Sequence, residues 1–271
     1  MYTTFSKALD ELLGGGYQPA TLMQAYGRTG SSKTTLCAYL PCVSIYKKLK
    51  EEGKLPEDGR FFVVDTDGGF DFGRFKQIAE SHKVDYSDLS RRVAYFNPTT
   101  LSWQHFIVAK AIPKMIGMKV RMTEDDKEKL EKMKIEGKEV KPLFVTVDPI
   151  CLFYRNEVLS TPMKFRASRI GTLTGLLDEE LIVLRKIAVD YSIPVCFSSW
   201  IVSPIAEAFG TAPESPMIGG RSLGFIPKII IELRIPSPGL PIREAYLFKH
   251  RGRPEGLTAQ FRLTDGGIAD I

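Results

Sequence analysis

Histidine is scarce in this chain: 3 in 271 residues, at His82, His105 and His250, with no metal-ligand spacing among them. The 4 cysteines (Cys37, Cys42, Cys151, Cys196) form no C-x-x-C pair, and three lie in apolar runs where a thiol behaves as a small core side chain. A zinc ribbon and a dithiol redox site are thereby excluded. No apolar run reaches the roughly 20 residues of a membrane span, and "MYTTFSKALDELL" lacks a secretory-leader profile. The chain is expected in the cytoplasm, with no membrane partner. No internal repeat or low-complexity tract stands out.

What is present is ordinary for a globular protein: 44% hydrophobic and 25% charged residues, enough chain for a sizeable core. The net charge of +5 is compatible with a polyanionic partner but does not require one. Apolar β-rich runs alternate with helical patterns, which predicts an α/β fold with a parallel sheet flanked by helices. "TLMQAYG" reads as a buried strand, and "SKTTLCAYLPCVSIYKKLKEEGK" as the following helix, kinked at Pro41. "GRFFVVDTDGG" and "RVAYFN" read as strands, "DFGRFKQIAESHK" as a helix, and "TLSWQHFIVAKAIPKMIG" as a helix limited by Pro113. The charge-dense segment from about 119 to 141 reads as an exposed helical insertion opened by the capping sequence "TEDD". "PLFVTVDPI" is a strand ending in Asp148, followed by an irregular stretch to about Arg166 and the long helix "RIGTLTGLLDEELIVLRKIAVDY". "IPVCFSSW" is a further buried strand, and Ile201 to Gly224 is a long loop. "PKIIIELRI", "REAYLFKHR" and "LTAQFRLT" form an antiparallel meander extending the sheet.

Three features carry chemistry. "GRTGSSKTT", Gly27 to Thr35, matches the phosphate-cradling G-x-x-x-x-G-K-[ST] loop at Gly27, Lys33 and Thr34. Its second glycine is replaced by Ser32. Backbone N–H groups and the helix N-terminus would receive phosphates, Lys33 would reach the β/γ-phosphates, and the Thr34 hydroxyl would ligate Mg²⁺. If the position of Ser32 needs a positive φ, the residue costs roughly 1–2 kcal/mol there. A plain helix start capped by serine would also fit this stretch. The second feature, "FFVVDTDGGF", delivers Asp65 and Asp67 to a loop at the carboxyl end of a strand, where ligands collect in open α/β sheets. An Asp/Gly turn alone would explain it equally. The third is the strand ending in Asp148, a shape in which the carboxylate holds Mg²⁺. The trio in this order is more specific than any member.

From Leu9 to Ile271 the chain resembles the catalytic core of the RecA-type recombinases of archaea and eukaryotes, RadA and Rad51, and their N-terminally short paralogs. "LDELLGGGYQPATLMQAYGRTGSSKTTLC", "VVDTDGGF", "FVTVDPICLFYR", "MIGGRSLGFIPKIIIELR" and "RPEGLTAQFRLTDGGIADI" carry the resemblance, in the family's order. It implies one RecA-like ATPase core over 1–271, without the family's N-terminal helical DNA-binding domain. It implies ATP and Mg²⁺ as cofactors, held by Gly27, Arg28, Thr29, Gly30, Ser31, Ser32, Lys33, Thr34 and Thr35, with Arg74 on the adenine. Thr34 and Asp148 would hold the metal, while Lys33 and Asp67 would act in catalysis. Asp67 stands where the family has a water-polarising glutamate. Arg155, Lys164, Arg166, Arg169 and Arg221 are the DNA-facing candidates, in the stretch after Asp148 and the loop Val202 to Gly220. Three departures stand out besides Ser32 and the shortened carboxylate. Trp200 replaces the γ-phosphate-sensing glutamine. Lys249 replaces an acidic residue that caps a neighbouring subunit's ATP. The second DNA loop holds Glu207 and Glu214 and no cation before Arg221. The expectation is a weakly hydrolysing, DNA-dependent ATPase paralog, binding single-stranded DNA and assisting a RadA-like recombinase in homologous recombination and repair. A nucleotide-gated interaction protein without turnover is the alternative, and a KaiC-like kinase a third.

Overall fold

The computed structural model describes residues 1–133, 139–201 and 218–271. Among them, six strands run parallel: β1 (Thr21–Gly27), β2 (Gly59–Asp65), β3 (Val93–Phe96), β4 (Lys141–Asp148), β5 (Pro194–Ser199) and β6 (Ile229–Arg234). Three continue antiparallel: β7 (Ile242–His250), β8 (Thr258–Thr264) and β9 (Gly267–Ala269). The sheet order is β3-β2-β4-β5-β1-β6-β7-β8-β9. This is the α/β class that the alternating pattern predicts, but the first strand of the expected meander, β6, pairs parallel with β1, and β9 is an added strand at the edge.

The central strands are mostly apolar and buried along nearly their whole length because both faces are covered. All seven residues of β1 are buried, as are the last seven of β4 and all six of β5. One face packs under α1 (Lys7–Leu12), α2 (Leu40–Glu51), α3 (Phe72–Ser81) and α4 (Tyr86–Arg91), with Leu36, Val43, Phe61, Phe75 and Phe261 in the core. The other packs under α5 (Leu101–Phe106), α6 (Ile112–Met115) and the 28-residue α9 (Met163–Asp190), around Phe62, Val145, Leu177, Leu184 and Phe197. Caps follow the sequence: Thr123 and Asp126 form a reciprocal capping box at α7 (Glu124–Lys132), as "TEDD" predicts.

Two expectations change in form. Pro41 does not simply kink its helix, and Pro113, expected to limit its helix, stands two residues before the end of α6. Each proline lies two residues past the end of a π-helical turn, Thr35–Tyr39 and Ile107–Ala111. A proline ring collides with the carbonyl four residues back, here Cys37 and Ala109, and the wider turn centred on those residues relieves the clash. The stretch expected to be irregular up to Arg166 is instead two helices, α8 (Leu152–Ser160) and the start of α9 at Met163, broken at Pro162. Its helical signal is blurred because apolar side chains there face solvent: Met163 is 81% exposed and Phe165 56%. Residues 202–217, most of the expected second DNA loop with Glu207 and Glu214, lie outside the described residues, as do 134–138 of the charged insertion.

Candidate nucleotide site

The loop Gly27–Thr34 leaves the carboxyl end of β1 at the centre of the sheet. Gly27 cannot carry a side chain, since its φ is 157° and a Cβ would stand 2.4 Å from the Leu233 carbonyl oxygen of β6. Ser32, where glycine was expected, adopts a left-handed φ of 77°, beside Gly30 at 78°. The serine therefore takes the glycine conformation and bears its strain, rather than reshaping the loop. Lys33 folds back over the loop, its Nζ donating to Gly27 O at 3.1 Å and Arg28 O at 2.9 Å. Burial lowers the Lys33 pKa, opposed by the nearby Asp148 carboxylate.

Two carboxylates face this loop from neighbouring strands. Asp148 ends β4 beside β5, where the Ser198 hydroxyl donates to its Oδ1, and the Thr34 hydroxyl hydrogen-bonds it as well. Burial pushes the Asp148 pKa up despite those partners. Asp67 lies past the end of β2. Partial burial, and next the Asp148 charge, raise its pKa to about 6. Asp65 plays a different part. Its carboxylate accepts the Gly68, Gly69 and Phe70 N–H groups and the Tyr95 hydroxyl, so it builds the turn that presents Asp67.

Thr29, Gly30, Ser32, Lys33, Thr34, Asp67, Asp148, Pro149 and Trp200 enclose a cavity of about 330 Å³. The donor set fits a phosphate chain with a hard divalent cation. Lys33 is a buried ammonium holding only carbonyls, and Ser31 Oγ is buried without a hydrogen-bond partner. Asp148 and Thr34 offer oxygen atoms of the kind a hard cation takes, and burial holds the Asp67 and Asp148 carboxyls above their usual pKa. Among the described residues no cluster of three or more His, Cys, Asp or Glu could hold a metal alone. Magnesium sites commonly use one or two carboxylates and complete their shell with phosphate and water.

The other candidates are more scattered. Arg74, near the start of α3, donates to the Gln77 side chain and to the Thr264 and Asp265 carbonyls of the β8–β9 turn. Just after that turn, Gly267 of β9 lies against Thr35 and Leu40 of the helical segment that follows the loop. Arg155 lines a second cavity of about 390 Å³ together with Gly27, Arg28 and Thr29 of the loop, and Trp200 borders both cavities. Arg169 pairs with Glu157 at 2.6 Å, Arg166 donates to the Leu159 and Thr161 carbonyls, and Lys164 stands over the Phe165 ring. Arg221 flanks the short helix α10 (Ser222–Phe225). Lys249 caps that helix, donating to the Gly224 and Phe225 carbonyls at 2.9 Å each. Ser198 and Arg243 at this site escape sequence reasoning. Ser198 is one of two serines before Trp200, and Arg243 lies 213 residues from its partner Gly30.

Comparison with known proteins agrees with this geometry. The Rad51 family profile matches residues 1–126. The DNA repair and recombination protein RadB of Thermococcus kodakarensis is 32% identical over 272 residues, covering all of both chains. The chain belongs to the Rad51 family of RecA-type proteins. The RadB protein of Pyrococcus furiosus is 28% identical over 279 residues, covering 100% of this chain and 96% of its own. A solved structure, titled "Crystal structure of the RadB recombinase", superposes with a TM-score of 0.66 at 29% identity over the full length of both chains. The fold is thus RecA-like, and the Rad51 family is one that binds ATP. Among the described residues no helix is long and apolar enough to cross a membrane.

Proposed function

We propose that this chain is an ATP- and Mg²⁺-binding member of the Rad51 family that acts in DNA recombination and repair, assisting a RadA-like recombinase and engaging single-stranded DNA. One observation carries the nucleotide assignment: Lys33, Thr34, Asp67 and Asp148 converge on a single cavity behind a left-handed phosphate loop. The names of the full-length RadB relatives support the repair assignment. Lys33 would leave the Gly27 and Arg28 carbonyls for the phosphate oxygens, offsetting their charge. Asp67, fixed by the Gly69 N–H at 3.0 Å, would accept a proton from, or orient, the attacking water. When bound, Mg²⁺ would neutralise charge developing on the phosphates, and Thr34 and Asp148 would hold it.

Turnover is expected to be slow. Asp67 is one methylene shorter than a glutamate and must act at longer reach. Trp200, an indole with one donor and no acceptor, lines the cavity where the family's glutamine senses the γ-phosphate. DNA contact is assigned to Arg155, Lys164, Arg166, Arg169 and Arg221. Arg155 shares a cavity with Gly27, Arg28 and Thr29 of the phosphate loop. Steady-state ATP hydrolysis with and without single-stranded DNA tests the proposal, beside Lys33→Ala and Asp67→Glu. DNA-stimulated turnover lost in Lys33→Ala and raised in Asp67→Glu is the expected result. Tight binding with no turnover under any condition would instead favour a nucleotide-gated interaction protein.

A further inference from the structure

The phosphate loop is held from outside by one side chain of the antiparallel extension. Arg243, on β7, donates from Nε and Nη2 to the same acceptor, Gly30 O, at 3.2 and 3.1 Å. Its Nη1 donates to Leu240 O at 3.0 Å and Ile242 O at 2.8 Å, so the guanidinium is itself fixed in place. The other side of the Gly30–Ser31 peptide is also engaged, because Ser31 N donates to Arg28 O at 3.2 Å. Both edges of that planar unit are pinned, which fixes its direction one residue ahead of the left-handed Ser32.

Gly30 needs no such help. Its left-handed φ of 78° is natural to glycine, and a Cβ there would meet nothing within 4 Å. Ser32 does need it. An L-residue with a side chain at φ 77° is strained, and without a constraint the loop would relax toward negative φ. A guanidinium fork closing on one carbonyl supplies a directional constraint that a lysine ammonium, a point charge on a flexible stem, does not.

We infer that Arg243 is a positioning residue for nucleotide binding, holding the phosphate loop in the left-handed turn that Ser32 would otherwise abandon. The inference rests on reading the cavity as an ATP site. Arg243 does not line that cavity, and it acts through the loop backbone. Relaxation of the loop would leave only a fraction of molecules competent to bind, and the apparent affinity would fall by that fraction.

A double-mutant cycle on Mg-ATP affinity, measured by calorimetric titration, tests this. Ser32→Gly supplies the unstrained background, and its own dissociation constant is the reference for the second arm of the cycle. Arg243→Ala raises the wild-type dissociation constant about tenfold, the fold-change that matches the strain of a left-handed serine. In the Ser32→Gly background, Arg243→Ala costs about threefold or less, because the loop no longer needs the brace. Arg243→Lys stays weak, as it keeps the charge and loses the fork. Far-UV circular dichroism checks folding, and the same cycle is read on Arg243→Gln if the alanine variant unfolds. An Arg243→Ala affinity equal to wild type overturns the inference, as does an equal loss in both backgrounds or full recovery in Arg243→Lys. Wild-type protein that fails to bind Mg-ATP overturns the ATP reading itself. Wild-type binding with an indifferent Arg243 overturns this inference alone.

Discussion

Ser32→Gly should stabilise the folded chain. Ser32 holds φ 77° in the absence of any ligand, so the strain is present in the resting fold. A left-handed residue bearing a Cβ costs about 1–2 kcal/mol. Glycine would remove that cost but would add freedom to the unfolded chain, worth about 0.4–1 kcal/mol in the opposite direction. At the middle of the two ranges the net gain is about 0.8 kcal/mol, which for a large domain corresponds to a rise in Tm of roughly 2–3 °C. Equilibrium urea unfolding should show a higher midpoint with an unchanged slope, the mark of altered stability rather than altered compactness. Ser32→Val should move the midpoint the other way, because a β-branched side chain tolerates positive φ least. An unchanged or lowered midpoint in Ser32→Gly would refute the reasoning, and would mean that the serine side chain contributes more than its backbone costs.

Other consequences follow from the same geometry. Asp67, with its pKa raised to about 6, holds a proton below that pH, so any role needing its carboxylate is lost as pH falls through about 6. A hydrolysis-rate profile should show this inflection, and it should disappear in Asp67→Asn along with most of the activity. Glu180 of α9 is fully buried, held by Gln104 Nε2 at 2.8 Å with His105 Nδ1 3.7 Å away, and burial raises its pKa. A raised carboxylate means that the folded state binds the proton more tightly. Its contribution therefore falls as pH rises from the unfolded value through the folded one. Glu180→Gln should raise Tm at pH 8 and flatten that decline, which thermal unfolding across pH would detect. Arg169→Ala breaks an exposed pair with Glu157 and should cost no more than about 1 kcal/mol of stability. If Arg169 meets DNA phosphate, the variant should also lower the salt slope of single-strand binding by about 1.

The parts of the molecule legible in the sequence are those with a local signature. A buried parallel strand announces itself as a continuous apolar run, and β1, β2, β4 and β5 were readable for that reason. The phosphate loop was readable because its lysine and hydroxyl have fixed spacing from Gly27, and the need for positive φ at Ser32 followed from the glycine usually found there. What escaped was tertiary. The brace from Arg243 to Gly30 spans 213 positions and has no motif. Ser198 gained meaning only when β5 lay beside β4 and brought its hydroxyl to Asp148. The helix α8 and the first turns of α9 were missed because a solvent-facing mixture of Met163, Phe165 and cations gives no amphipathic period. The paired aspartates look alike in "VVDTDGG", yet one builds the turn and the other faces the cavity, a division set by where the backbone N–H groups point.

The most direct test is titration of ATP into wild-type protein and Lys33→Ala, with Mg²⁺ and again with a chelator. Saturable binding to wild type that weakens tenfold or more in Lys33→Ala, and weakens when Mg²⁺ is removed, is the predicted result. Equal binding by the two proteins, or none by either, would contradict the assignment of this cavity to ATP.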